Sequence, residues 1–219
     1  MKNLTKLLFI LIIFNFFNLN FAQAQIPGIS IPGMGTNKNT SKVDLTANKS
    51  ALVKTFFTSF ENYGKALSYL SQSLGLDADS KKIEQAIVDS KNVNSSESDR
   101  MANSIKATSE VSKNIEAKLK DEKSSKLSVE AKVKYSQAMP FAAKGLIGTL
   151  ELRPLSQQMA SGIQANPIDA VNQLGTLSKV IPTVPDYITT ILSVTKLIVT
   201  GAEANNIPTT DVKSALGKF

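Results

Sequence analysis

Residues 45–76 read LTANKSALVKTFFTSFENYGKALSYLSQSLGL, and their spacing decides the fold. Leu45, Leu52, Phe56, Phe60, Tyr63, Leu67, Leu70 and Leu74 follow one another at intervals of seven, four, four, three, four, three and four residues. At about 3.6 residues per turn these positions share one side, so the stretch predicts a helix from about Val43 to Leu74 with a continuous apolar face. Gly75 fits the left-handed residue that closes such a helix, with Leu76 folding back toward Leu70. Most aromatic residues beyond position 24 lie here, Phe57 and Tyr69 included, which marks the helix as core.

The same periodicity recurs downstream. Asp79 or Ser80 is placed to cap a helix reaching about Val93, with Ile83, Ala86 and Ile87 turned inward. Ser96-Glu97-Ser98-Asp99 reads as a capping box for a helix to about Lys123. The inward seam of that helix, Met101, Ile105, Thr108, Ser112, Ile115 and Leu119, includes two hydroxyl residues and predicts an outer or loosely packed helix. Val129 to Met139 predicts a further helix that meets Pro140, resumes from Phe141 through Leu152, and is interrupted again at Pro154. Asn166-Pro167-Ile168-Asp169 is a helix start with a face of Ile168, Val171, Leu174, Leu177 and Ile181. After Pro182, Thr183-Val184-Pro185-Asp186 restarts the chain. Tyr187 to Ala202 then holds one charge, Lys196, and is expected to be the most buried helix. Thr210 to Leu216 forms a last helix that Gly217 stops. No sustained period-two run occurs. The expectation is an all-α fold, a single-domain bundle of about five to six helices over 43–219, some kinked at Pro140, Pro154 and Pro182.

Ahead of this domain, Lys2 and Lys6 precede an apolar run from Leu7 to Phe14, resumed at Phe16 and Phe17, and the triplet Ala22-Gln23-Ala24. Basic, apolar and small-residue segments in that order are a cleavable export signal covering 1–24. Asn15, Asn18 and Asn20 leave the run short of a membrane span. The expected product begins at Gln25 and is periplasmic or secreted. Residues 25–42, with Ile-Pro-Gly at Ile26 and again at Ile31, read as a flexible leader, either a spacer or a docking segment.

Composition narrows the chemistry. The 219 residues contain no cysteine, histidine or tryptophan. That removes disulfides, thiolate chemistry, a lipidated N-terminal cysteine, most zinc sites and the usual general base near neutral pH. The net charge of +7 falls to +5 when Lys2 and Lys6 leave, and it is spread thinly along the chain. Arg100 and Arg153 are the only arginines, so nothing resembles a nucleic-acid surface, which favours Arg and stacking aromatics.

The motifs are weak. Ser193-Val194-Thr195-Lys196 matches the S-x-x-K dyad, but S-D-N and K-T-G are missing and the helical pattern lacks the sheet of that enzyme class. The pair reads as one turn of a core helix, Lys196 reaching solvent and the Ser193 hydroxyl bonding back to a carbonyl near Thr189. Asp77-Ala78-Asp79 opens like a calcium loop, yet Lys82 and Val88 occupy the glycine and glutamate positions. Glu97 with Asp99, and Asp121 with Glu122, read as helix-terminus or surface charges. Gly145 and Gly148 lack the Lys-Ser or Lys-Thr of a phosphate loop and instead allow a neighbouring backbone to approach. No catalytic residue, metal site or cofactor is expected.

Three readings follow. The first is an exported, non-catalytic protein-interaction module of the cell envelope, with no nucleic-acid partner and no stable membrane anchor. The second is a carrier for an apolar or lipid-like ligand in a cavity lined by Phe56, Phe60, Leu146, Leu150, Ile191 and Leu192. The third is a membrane-inserting helical protein, since Phe141–Leu152 and Tyr187–Ala202 are unusually apolar. The export reading has a direct check: intact-mass analysis of exported protein should give a chain beginning at Gln25. Retention of Met1 to Ala24 in that pool would rule the signal out.

Overall fold

The structure, a computed structural model, describes residues 45–121 and 126–219. The export-signal and leader readings lie outside these residues. Within them the protein is all-α, with seven helices of seven residues or more, slightly more than the five to six expected, and no strand.

The stripe forms α1, Leu45–Ser73. Leu45, Leu52, Phe56, Phe60, Tyr63, Leu67 and Leu70 are no more than 2% exposed, so the whole apolar side is inside. Gly75 closes the helix at φ +69°. Its N–H donates to the Gln72 carbonyl (3.3 Å) and the Leu76 N–H donates to the Ser71 carbonyl (2.7 Å), the paired bonds of a glycine stop. Helix α2, Asp77–Ser90, starts two residues before the expected cap. Ser80 is not its cap. The Ser80 hydroxyl instead points back to α1, 3.0 Å from the Ser68 hydroxyl, where it accepts from the Gln72 amide at 3.0 Å and donates to Glu84 at 3.2 Å.

Ser96 does cap α3, Glu97–Asp121: its hydroxyl accepts the Asp99 N–H at 3.1 Å and donates to the Asp99 carboxylate at 2.7 Å. Helices α2 and α3 run antiparallel. Asn114 donates to both oxygens of Asp79 (3.0 and 3.1 Å), and Arg100 donates to the Ser90 carbonyl (2.8 Å).

The largest difference from expectation is α4, a single 37-residue helix from Val129 to Ala165 that continues through Pro140 and Pro154. A proline inside a helix leaves the carbonyl four residues earlier without its donor. Both prolines are exposed here, and the carbonyls concerned belong to exposed Ser136 and half-buried Leu150. Pro182 lies outside the long helices. It lies in a 3₁₀ turn, Ile181–Thr183, after α5 (Pro167–Leu174) and the single turn α6 (Leu177–Val180), and before α7 (Val184–Ala204). Gly175 at φ +56° ends α5 early, which splits the expected face. Leu174, Leu177 and Ile181 are buried, whereas Ile168 is 79% and Val171 55% exposed. The last helix, α8, spans Thr210–Leu216 as expected.

Helices α1 and α4 form the centre, antiparallel along their length. A methyl group added at Gly145 would lie 2.9 Å from the Tyr63 backbone nitrogen, and one at Gly148 would lie 3.0 Å from Ser59 Cβ. Ser59 reinforces the contact, donating to the Gly145 carbonyl (3.0 Å) and meeting the Thr149 hydroxyl at 2.8 Å. Around this pair, α2 lies on α1, α3 bridges α2 and α7, α5 covers one end, and α8 packs on α4. The apolar stretch from Tyr187 is α7, inward through Tyr187, Ile188, Ile191, Val194 and Ile198, but α1 rather than α7 occupies the middle.

Two substitutions test this centre. Alanine at an interior helix glycine ordinarily stabilises by about 1 kcal/mol. Gly145→Ala should instead destabilise by about 1–3 kcal/mol, because the methyl meets backbone that cannot move aside. Phe60→Ala should cost about 3–5 kcal/mol through the cavity it leaves. Urea melts of the two variants check both figures, and a Gly145→Ala protein more stable than the parent would refute the close approach.

Candidate functional site

The six residues expected to line a ligand cavity separate into two groups. Phe56, Phe60, Leu146 and Ile191 are fully buried in the core and Leu192 packs against it, while half-buried Leu150 stands outside that cluster. Phe56 is in ring contact with Phe57, Phe60 and Tyr187, at centroid distances of 5.4, 6.3 and 5.3 Å. Two surface grooves of about 320 Å³ each lie elsewhere. One is lined by Lys82, Gln85, Asp89, Lys106 and Glu110 between α2 and α3, and the other by Met139, Pro140, Ile207 and Val212 between α4 and α8.

Ser193 and Lys196 are both on the exposed side of α7. The neighbouring threonines 189, 190, 195 and 200 donate back to carbonyls one turn earlier, but Ser193 does not make the bond expected of it. Asp77 and Asp79 lie in the first turn of α2 rather than in a loop. Among the described residues no group of three or more acidic, His or Cys side chains is placed to hold a metal ion.

The perturbed titratable groups are structural. Tyr63, Tyr135 and Tyr187 have phenols pushed well above their ordinary value by burial. Tyr63 donates to the Ile191 carbonyl at 3.2 Å and meets Thr195 at 3.0 Å, and Tyr135 donates to the Ile198 carbonyl at 2.8 Å. The Tyr187 hydroxyl faces Thr108 across the α3–α7 interface without a bond of good geometry. Ser112, one turn further along α3, is also buried and unbonded.

A different arrangement emerges on the outer face of α1 and α4. The antiparallel register places Phe141 beside Tyr69, their rings stacked at 5.8 Å and 19°. Both are half-buried, so part of each ring meets solvent. Three ammonium groups surround them: Lys65 is 5.8 Å and Lys144 6.0 Å from the Phe141 ring, and Lys134 is 5.9 Å from the Tyr69 ring. These distances are those of cation–π attraction, which holds long side chains over the rings. Glu61 takes Lys65 at 2.8 Å and Lys91 at 2.9 Å, and these two cations hold its carboxyl below the usual value. Lys134 and Lys144 form no ion pair among the described residues, so this face is basic.

In the sequence Tyr69 reads as core, Phe141 as part of an apolar run, and the lysines as a thinly spread excess with no basic stripe. The three lysines come from two helices and converge only through the fold. Gly145 and Gly148 were the available signal, because setting them against Ser59 and Tyr63 fixes the register that pairs residues 69 and 141. No protein-family model, curated protein or solved structure matches the chain.

The buried phenols generate a test of sign. A phenol whose folded value is raised favours the protonated native state, so its stabilisation is complete below about pH 10 and declines as pH rises above that. Phenolate absorbance from Tyr63, Tyr135 and Tyr187 should therefore appear together with alkaline unfolding. Ionisation of all four tyrosines in a protein whose circular dichroism remains native would contradict their burial.

Proposed function

We propose that this chain is an exported, non-catalytic protein-interaction module of the cell envelope, and that it binds its partner through the Tyr69–Phe141 face. The observation carrying the reading is the group of three lysines around two part-exposed rings on the two longest helices. Rings of this kind contribute contact area at little cost in side-chain entropy, and charges around them steer association. The absence of His and Cys from the sequence supports a role in binding rather than catalysis. Export rests on the basic–apolar–Ala-Gln-Ala pattern of residues 1–24. No helix among the described residues is long and apolar enough to cross a membrane.

Native mass spectrometry of the protein purified from its own envelope extract tests the reading. The parent chain should retain a macromolecular partner that Lys134→Glu/Lys144→Glu fails to retain, with both chains equally helical. A retained small apolar mass, unaffected by the double substitution, would replace this reading with the carrier.

A further inference from the structure

We infer that the partner presents an acidic peptide segment in which carboxylates flank an apolar side chain; this rests on the reading of the Tyr69–Phe141 face as the binding surface. The geometry of the face carries it. Lys134 and Lys144 are ten residues apart on α4, hence about 15 Å apart along the axis. Tyr69 and Phe141 lie between them, and Lys65 stands beside Phe141 on the α1 side. The pattern across the face is positive, apolar, positive. An extended peptide advances about 3.3 Å per residue, so carboxylates about four residues apart on either side of an apolar residue would match it. The apolar side chain would cover the exposed edges of the rings while the carboxylates meet Lys134 on one side and Lys144 on the other.

Charge complementarity selects an anionic partner, and the small apolar centre selects among anions. A lipid surface engages protruding apolar side chains, whereas Tyr69 and Phe141 are only half exposed and are stacked on each other. A nucleic acid is bound by planar guanidinium and by rings free to stack on bases, and this face offers neither. Lys65 is already shared with Glu61, so Lys134 and Lys144 supply the principal charge for a ligand.

The probe is the blocked peptide Asp-Glu-Ser-Phe-Ser-Glu-Asp, measured by fluorescence anisotropy on the full chain at low and moderate salt. Binding should saturate, weaken with salt, and fall by about tenfold or more in Lys134→Glu/Lys144→Glu, for which circular dichroism and the thermal midpoint serve as folding controls. It should also fall when the peptide's Phe is replaced by Ser, and the parent should not bind the same peptide with Lys in place of its acids. Equal affinity for the parent and the double variant would overturn the inference. So would equally tight, equally lysine-dependent binding of phosphatidylglycerol vesicles or duplex DNA, which would make the face a general polyanion surface. If the double variant loses its cellular partner and the peptide still fails to bind the parent, the interaction reading stands and the acidic-segment inference fails.

Discussion

Everything else in the fold depends on how closely α1 and α4 approach. Two glycines one turn apart, Gly145 and Gly148, allow the α4 backbone to lie against Tyr63 and Ser59 with no side chain between. The hydroxyls of Ser59 and Thr149 fill the remaining space and bond to each other, and both bond to the Gly145 carbonyl. A contact this short has only one register, because sliding by a turn would set a larger side chain against the backbone. Register then fixes the remainder. Tyr63 reaches across the core to Thr195 and Ile191 on α7, Tyr135 reaches Ile198, and Phe141 arrives beside Tyr69.

How much of this was legible in the sequence depends on the range of the interaction concerned. The α1 stripe, the Gly75 stop, the Ser96 cap and the last helix are local features, decided within one or two turns, and they stand where the residues place them. Pro140 and Pro154 leave α4 continuous, and what each costs depends on the surroundings of the carbonyl it orphans, which is a property of the assembled surface and not of the local sequence. The face assigned to Ile168 and Val171 failed for a related reason. Gly175 ends α5 after eight residues, too soon for the periodicity to extend to Leu177 on the same helix.

The candidate face was less legible still. Tyr69 and Phe141 are far apart in sequence, and each taken alone resembles an ordinary core aromatic. Neither ring acquires its lysine surroundings until two helices are set side by side, so a linear count of charge sees only a thinly spread excess. The close glycine contact was visible as a possibility, but its partner on α1 was not, since helical periodicity specifies a face and not a register.

The distribution of polar groups through the core bears on the binding role proposed for this face. Where α1 and α4 approach most closely the hydroxyls of Ser59 and Thr149 are bonded to each other and to the Gly145 carbonyl, whereas Ser71, further along α1, is buried without a bond. On the α3 side, Thr108, Ser112 and Tyr187 are buried without bonds, and each such group forfeits part of the stabilisation that its burial should bring. Buried hydroxyls are therefore best satisfied where Gly145 and Gly148 meet α1 and least satisfied along α3. The glycine contact also fixes the register that brings Phe141 beside Tyr69, and for the binding role proposed here a surface fixed in shape has the advantage of losing little entropy when a partner docks.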